Sequence, residues 1–322
     1  MDPSGPTQRQ AEKATSAAGG GFAFFGGRQD KWENAADLYT QAANAFRMQK
    51  QGTFELSYPS PFSRDLPGDI ATVQIDSNLL IIGKEAGQAF ERAATIQSKN
   101  LSEPDDAANS LIEAFKAYRK SDPEDAVRVA GQAIAHYTSK GNFRRAAQNQ
   151  QTLAEVLEIE IGDNKRALEA YEVAAGWFEG DGAEALANKD YLKVADLAGL
   201  EADYYRAIDN YMRVAKSAVN NNLMRFSVKD YFLKAGICHL ASGDMVATSQ
   251  ALEQFRTMDP SFANTREWAL LSDLKEAVES GEQEQYLDKL YQFDQMSPLD
   301  KWKTTLLLRV KNAIEEKDED FS

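Results

Sequence analysis

Residues 167–178 read Ala-Leu-Glu-Ala-Tyr-Glu-Val-Ala-Ala-Gly-Trp-Phe, and the spacing of their apolar side chains decides the fold. Counted from Ala167, offsets of 3, 4, 7, 8 and 11 residues fall on Ala170, Tyr171, Ala174, Ala175 and Phe178. Such offsets mark one face of an α-helix. The same offsets give an unbroken apolar stripe from Ala35 and from Ala126. In each stripe alanines precede a terminal aromatic ring, so neighbouring helices can approach closely while the ring fills the remaining space.

The stripe recurs along most of the chain. It is found, less perfectly, from Ala86, Ala107, Ala146, Ala187, Ala207, Val228 and Ala247. From Ala86 onward successive starts are 19 to 21 residues apart, with turn signals such as Gly162-Asp163-Asn164 between them. Two such helices form a hairpin of about 40 residues, a design related to the 34-residue tetratricopeptide repeat (TPR). The sequence therefore predicts an all-α, TPR-like α-hairpin solenoid over residues 31–258, wound as a right-handed superhelix.

The pattern changes after residue 258. Asp259-Pro260 interrupts it, and amphipathic segments follow at Thr265–Ser280, Gln283–Gln295 and Pro298–Glu316. They predict a C-terminal helical bundle over residues 259–316 that caps the solenoid, with Trp302, Leu306 and Val310 in its core. We expect residues 315–322 to fray and residues 317–322 to form a free acidic tail.

Residues 52–83 do not fit the repeat. The interval from Ala35 to Ala86 is 51 residues, and Gly52–Gly83 holds three of the chain's nine prolines. Its stretches Ile70–Ile75 and Leu79–Ile82 are β-prone and leave the helical stripe. We interpret the segment as an irregular insertion, either a genuine loop or intron sequence retained in the gene model.

Composition excludes several classes of protein. The 322 residues include 50 Asp and Glu against 36 Lys and Arg, and the net charge of −14 argues against a nucleic-acid partner. Cys238 is the single cysteine and the chain has two histidines, so an internal disulfide and a Cys/His zinc site are both excluded. Apolar runs of signal-peptide or membrane-span length are absent. Phosphate-binding and nucleophile motifs are absent as well. We therefore expect a cytoplasmic protein that is not an enzyme and needs no cofactor.

The N-terminus carries an unusual aromatic loop. Residues 19–27 read Gly-Gly-Gly-Phe-Ala-Phe-Phe-Gly-Gly, which places Phe22, Phe24 and Phe25 among glycines. We expect residues 1–30 to be a flexible N-terminus. The rings either tuck onto the first hairpin or act as a mobile wedge in a membrane interface.

Two charged features stand out against the acidic background. Basic residues occur in three pairs, Arg144 with Arg145, Lys189 with Lys193, and Arg225 with Lys229, and the last two pairs are each spaced i, i+4. They either line one side of the array and steer an acidic partner or are scattered solvated side chains. The acidic tail, with Phe321 near its end, is typical of a docking element for a basic partner.

Several stretches identify a family together. They are Phe24–Gly27, Ala35–Met48, Asp122–Ala126, Asn188–Ala195, Val228–Ala235 and Asp300–Lys311. These resemble the soluble NSF attachment proteins, of the alpha-SNAP type and in what looks like a fungal form. The likeness covers nearly everything from Gly21 to Ser322 except Gly52–Gly83. The sequence departs from the family pattern in Met1–Ala18, which lacks the leucine-containing first helix usual in the family.

The resemblance implies an adaptor in membrane fusion. Several copies of a protein that is monomeric when free wrap an assembled SNARE four-helix bundle and recruit the hexameric AAA ATPase NSF, which disassembles the bundle. The resemblance assigns membrane attachment to Phe22, Phe24 and Phe25. It assigns SNARE contacts to Lys189, Lys193, Leu223, Arg225 and Lys229. It assigns NSF contacts to Asp244, Glu276, Glu279 and Phe321, and Phe321 occupies a position where the family commonly has leucine.

The same resemblance implies where the chain works. It would be cytoplasmic and peripherally attached to vesicle, Golgi, vacuole or other endomembranes. The alternative from another class is a general TPR-like scaffold or co-chaperone that binds peptide tails. A carboxylate-clamp co-chaperone needs convergent Lys and Asn residues within 34-residue repeats, and that spacing is absent.

Overall fold

A computed structural model describes residues 4–19, 27–57, 68–221 and 223–320, with side chains for 8–19, 28–48, 80–221 and 223–315. These residues are almost entirely helical, so the all-α prediction is confirmed. The α-helices are α1 Ser4–Gly19, α2 Gly27–Ser57, α3 Gly68–Ile96, α4 Pro104–Tyr118, α5 Pro123–Ser139, α6 Phe143–Val156, α7 Asn164–Gly180, α8 Glu184–Leu200, α9 Tyr204–Val219, α10 Val228–Ser242, α11 Met245–Met258, α12 Arg266–Ser280, α13 Gln283–Met296 and α14 Lys301–Asp320. Single π-helical turns extend α3 and α6, and short 3₁₀ turns precede α10 and α12.

The chain divides into two compact units, Met1–Asp181 (unit 1) and Gly182–Ser322 (unit 2). Unit 1 contains α1 to α7, and unit 2 contains α8 to α14. The division does not coincide with the predicted boundary at 258/259. The three C-terminal helices belong to the same unit as α8 to α11, and α14 packs on both α8 and α10.

The apolar stripe forms the core of each unit. In α7 the residues from Ala167 to Phe178 at the predicted offsets are all 5% exposed or less. Helix starts repeat as well, because an Asp or Asn side chain accepts a hydrogen bond from the backbone three residues on. The N-cap residues of this kind are Asp122, Asn142, Asp163, Asp203 and Asp244. The same local pattern therefore sets both the register and the start of each helix.

The prediction of a flexible N-terminus over residues 1–30 is wrong for α1 and for the start of α2. Ala11 and Ala18, seven residues apart on one face of α1, are 0% and 3% exposed. Glu12 forms an ion pair with Arg92 of α3 at 3.0 Å. Alanines thus allow α1 to pack closely without a leucine. The apolar pattern of the sequence does not reveal this packing. The aromatic loop itself lies outside the described residues.

The irregular segment predicted at 52–83 is helical where it is described. Helix α2 continues to Ser57, and α3 begins at Gly68. The β-prone stretches Ile70–Ile75 and Leu79–Ile82 lie within α3, so our interpretation of them as non-helical is wrong. Strand propensity depends on context, whereas an existing helix gains one hydrogen bond for each residue added. That the segment is an insertion stays a prediction.

The expected fraying from residue 315 is also wrong as far as Asp320, where α14 ends. Ile314, in the last part of α14 whose side chains are described, is 3% exposed. Glu315 accepts hydrogen bonds from Lys311 on its own helix and from Gln283 on α13. The contact with Gln283 ties α14 to α13 at Glu315.

Two glycines offer a matched test of helix packing in unit 1. A methyl group on Gly131 of α5 would meet no atom within 4 Å, whereas one on Gly87 of α3 would lie 2.6 Å from the buried ring of Tyr118. We expect Gly131→Ala to raise the free energy of unfolding by about 0.5–1 kcal/mol, because alanine favours the helix. We expect Gly87→Ala to lower it by about 1–3 kcal/mol through overpacking. Urea titrations measure both, and shifts of the same sign would contradict the packing described.

Acid should weaken unit 1 through Glu91 of α3. Its carboxylate accepts hydrogen bonds from Arg128 of α5 at 2.8 and 2.9 Å and from the Tyr118 hydroxyl at 3.3 Å. The hydrogen bonds from Arg128 contribute most to a pKa of Glu91 below its usual 4.5. A carboxyl group whose pKa is lower in the folded protein than in the unfolded chain stabilises the fold at pH values above its unfolded-state pKa. This stabilisation is lost as the pH falls through the folded-state pKa.

We therefore expect urea midpoints to fall as the pH drops below 4.5, the usual pKa of a glutamate side chain, which Glu91 has in the unfolded chain. Glu91→Gln should flatten this dependence. Glu169→Gln, at an exposed position on α7, is the control. Equal pH dependence in Glu91→Gln and the unaltered chain would refute the assignment to this ion pair.

Candidate functional site

The five residues predicted to contact a SNARE bundle all lie in unit 2, and we call them the basic face: Lys189, Lys193, Leu223, Arg225 and Lys229. Lys189 and Lys193 are four residues apart on α8, so they share one side of that helix. Lys189 is exposed and Lys193 is half-buried. The remaining three lie in the turn before α10 and in its first turn. Helix α8 and helix α10 are joined directly by an ion pair between Asp196 and Lys234 at 2.8 Å.

The turn before α10 presents apolar side chains to solvent. Leu223 is 90% exposed and Phe226 is 85% exposed, the two highest values among the large apolar residues described. Exposure of apolar side chains to water is unfavourable, and burying them against a partner would stabilise the complex. Phe226 was missed by the sequence reasoning, although its place between Arg225 and Lys229 could have drawn attention to it. The turn therefore combines an exposed apolar pair with two cations.

The cations of this turn are held by two carboxylates, one directly after α11 and one in the first turn of α12. Arg225 lies 3.7 Å from Asp259, and Lys229 lies 2.9 Å from Glu267. Asp259 and Glu267 are only 10% and 13% exposed in their side chains, whereas the two cations are more than half exposed. The carboxylates therefore orient the basic side chains from beneath and leave them accessible to a partner.

The acidic residues predicted to face NSF are at helix ends in unit 2. Asp244 caps α11, where its carboxylate accepts a hydrogen bond from the Ala247 backbone at 2.8 Å. Glu276 and Glu279 lie in the last two turns of α12, and all three carboxylates are exposed. Glu279 is paired with Lys275 at 2.9 Å. Asp244 thus has a structural role in addition to any contact with a partner.

The other predicted basic pair lies in unit 1 and is engaged there. Arg144 approaches Asp181 at 3.3 Å. Arg145 donates a hydrogen bond to Asn109 at 2.6 Å and lies 4.4 Å above the ring of Tyr137. These contacts favour a packing role for Arg145, whereas Arg144 forms an exposed ion pair in which its side chain is 59% exposed.

Some predicted residues cannot be placed. Phe22, Phe24, Phe25 and Phe321 lie outside the described residues. Across the part of the chain that the structure describes, no helix is both long and apolar enough to span a bilayer.

Comparisons with known proteins bear on the whole chain. The family model described as "Soluble NSF attachment protein, SNAP" matches residues 5–53 and 82–315. A probable vesicular-fusion protein sec17 homolog from Neurospora crassa is 46% identical over 315 residues, covering 98% of this chain and 97% of that protein. The alpha-soluble NSF attachment protein of Saccharomyces cerevisiae is 35% identical over 321 residues, covering 99% of each chain. The human protein of the same name is 32% identical over 312 residues, covering 97% of this chain and 95% of that one.

The family match also bears on the long interval between the stripes that start at Ala35 and Ala86. Its two ranges leave residues 54–81 outside, and these fall within the segment predicted as an insertion at 52–83. The relatives align over nearly their full lengths, so the likeness extends through both units.

Proposed function

The chain belongs to the soluble NSF attachment protein family, and we propose that it acts as a non-enzymatic adaptor in vesicle fusion and intracellular protein transport. It binds an assembled SNARE four-helix bundle and recruits and stimulates an NSF-type AAA ATPase hexamer, which supplies the chemical energy. The family match over both units, with relatives named for NSF attachment and vesicular fusion, carries this proposal. The general scaffold or co-chaperone alternative has no observation in its favour.

The basic face is suited to the bundle. SNARE bundles have a largely acidic surface, so cations gathered on one side of a chain with net charge −14 provide local complementarity. Arg225 and Lys229 are pre-oriented by Asp259 and Glu267, which reduces the entropy lost on binding. The exposed side chain of Leu223 and the exposed ring of Phe226 add apolar area that a partner helix can bury.

The acidic carboxylates of α11 and α12 are suited to the ATPase. Asp244, Glu276 and Glu279 are exposed in the same unit as the basic face and carry the opposite charge. They would engage the basic N-domains of the hexamer, with Phe321 at the C-terminus coupling binding to ATPase stimulation. Individual exposed ion pairs are weak. Several adaptor copies on one bundle would therefore supply affinity through multivalency.

Membrane attachment would come from the aromatic loop at residues 19–27. Rings that enter an interface contribute roughly 1.5–3 kcal/mol each before ordering costs, which gives weak and reversible attachment. The protein would then be peripheral on vesicle, Golgi, vacuole or other endomembranes.

We expect Phe24→Ser combined with Phe25→Ser to reduce liposome recruitment and disassembly of membrane-anchored SNARE complexes, because the wedge is lost. Disassembly in detergent should be unchanged. Phe143→Ser, at a 45% exposed aromatic residue of α6, is the control on liposomes. An equal loss in detergent would mean that the loop is structural.

A recruitment experiment tests the proposed function. Immobilised SNARE bundle is incubated with the ATPase and a non-hydrolysable ATP analogue, with and without the chain. The proposal predicts that the ATPase is retained only when the chain is present. Retention without the chain, or none with it, would overturn the adaptor role.

A further inference from the structure

One residue of α8 joins four helices of unit 2. The side-chain carboxylate of Asp196 accepts hydrogen bonds from the Tyr211 hydroxyl of α9 and from Lys234 of α10, the latter at 2.8 Å. The backbone carbonyl of Asp196 accepts a hydrogen bond from the indole nitrogen of Trp302 on α14 at 2.7 Å. Asp196 therefore bonds to α9, α10 and α14 at a single point, which we call the Asp196 junction.

The junction is closed by aromatic packing as well as by hydrogen bonds. The ammonium group of Lys234 lies 5.1 Å from the ring of Trp302 and 5.7 Å from the ring of Tyr211. The two rings meet edge to face at 5.8 Å. Burial and the neighbouring Asp196 carboxylate raise the pKa of Tyr211, so its hydroxyl remains a donor. The Lys234 side chain is only 15% exposed, and without its anion it would be a poorly solvated charge.

Further contacts fix α14 on both sides of the junction. A methyl group on Gly199 would lie 2.7 Å from the Trp302 ring, so only glycine admits this close approach. Arg309 donates hydrogen bonds to the carbonyls of Gly199 and Leu200 at 3.0 and 2.6 Å, at the C-terminal end of α8. Lys303 forms an ion pair with Asp230 of α10 at 2.8 Å. Helix α14 is thus attached to the two helices that carry most of the basic face.

The position of the junction suggests its role. Lys189, Lys193 and Asp196 follow one another at i, i+4 and i+7, so the junction continues the lysine side of α8. At its other end α14 leads into the acidic C-terminus, which the proposed function assigns to the ATPase. A load applied to α14 would therefore reach the bundle-facing helices through the contacts of Trp302, Arg309 and Lys303.

We propose that Asp196 is a positioning residue that locks α14 to α8, α9 and α10, so that work done by the ATPase on this end of the adaptor reaches the SNARE bundle. The inference rests on the proposed function. It differs from a purely stabilising role because it concerns the rate of disassembly when every adaptor is folded and bound.

Two variants test the junction from different sides. Asp196→Ala removes the side-chain acceptor, and Trp302→Phe keeps an aromatic ring but removes the N–H donor. Asp196→Asn retains an acceptor oxygen but removes the anion that pairs with Lys234, so it separates the hydrogen bond from the charge. Glu124→Ala breaks the bidentate ion pair with Arg166 in unit 1 and serves as the matched control. All are assayed below their melting transitions, at concentrations that saturate the bundle.

We expect Asp196→Ala and Trp302→Phe to slow ATP-dependent disassembly about fivefold, the effect of losing roughly one hydrogen bond. Affinities for the bundle and the ATPase should change by less than about twofold, as for substitutions away from an interface. Asp196→Asn should fall between Asp196→Ala and the unaltered chain, because it keeps an acceptor oxygen but leaves Lys234 without its anion. Glu124→Ala should be close to the unaltered chain. Should Asp196→Ala not fold, Trp302→Phe decides alone.

Three results would overturn the inference. The first is an unaltered disassembly rate in Trp302→Phe. The second is a rate that falls only as far as binding falls, which would make the junction merely structural. The third is an equal loss in Glu124→Ala. An unaltered chain that supports no disassembly would instead overturn the proposed function itself.

Discussion

Lys189→Glu combined with Lys193→Glu is expected to weaken binding to an assembled SNARE bundle by about tenfold or more at low salt. Each lysine becomes a like charge facing an acidic partner. Exposed pairs are worth about 0.2–1 kcal/mol each, and the reversal both removes attraction and adds repulsion at two positions. The sum reaches about 1.4 kcal/mol, which corresponds to tenfold in the dissociation constant.

Salt provides an internal check on this expectation. The Debye length falls from about 10 Å at 0.1 M to about 3 Å at 1 M, so the difference between the variant and the unaltered chain should shrink as salt is added. Lys116→Glu with Lys120→Glu, an exposed i, i+4 pair in unit 1, makes the same change of charge elsewhere. An unchanged pull-down at low salt, or an equal loss in this control, would refute the basic face.

Phe232→Ala is expected to lower the free energy of unfolding by about 3–5 kcal/mol, the cost of emptying a packed aromatic site. Phe232 is 0% exposed and stacks on Phe255 at 4.7 Å, with Phe262 edge-on at 5.1 Å. Each aromatic pair adds about 0.5–1.5 kcal/mol beyond its buried area. Against total stabilities of about 5–15 kcal/mol, such a loss is severe.

The same substitution at Phe226 should behave in the opposite way. Phe226 is 85% exposed, so Phe226→Ala should change the free energy of unfolding by less than about 0.5 kcal/mol. It should nevertheless weaken SNARE binding, because it removes exposed apolar area from the turn that carries Leu223 and Arg225 of the basic face. Urea midpoints and pull-downs of both variants separate the two roles. Similar losses of stability in Phe226→Ala and Phe232→Ala would contradict the placement of these rings.

Local spacing explains why so much of the fold was predictable. The stripe from Ala167 to Phe178 and the N-caps such as Asp163 depend on residues within one or two turns, which the sequence displays directly. Trp302, Leu306 and Val310 were predicted in the C-terminal core by the same rule, and Leu306 and Val310 are 0% and 2% exposed. Such features need no knowledge of what is distant in the chain.

The predictions were wrong where contacts distant in the chain, and not local spacing, determine the structure of a segment. Helix α1 packs through Ala11 and Ala18, which carry little apolar signal, so the sequence suggested flexibility. The β-prone residues of 70–82 lie in a helix because strand propensity is weak when no sheet is available. Partners that orient the basic face were invisible for another reason. Asp259 and Glu267 are more than thirty residues from the cations they hold, and spacing cannot reveal contacts between helices so far apart.

The most direct test of the adaptor role is a reconstituted disassembly reaction with purified SNARE complex, NSF and ATP, with and without the chain. ATP-dependent disassembly that appears only when the chain is added is the predicted result. A chain that is helical and monomeric yet yields no disassembly would contradict the account. Repeating the reaction with residues 52–83 deleted then shows whether that segment was responsible, since recovery of activity would assign the failure to the first hairpin.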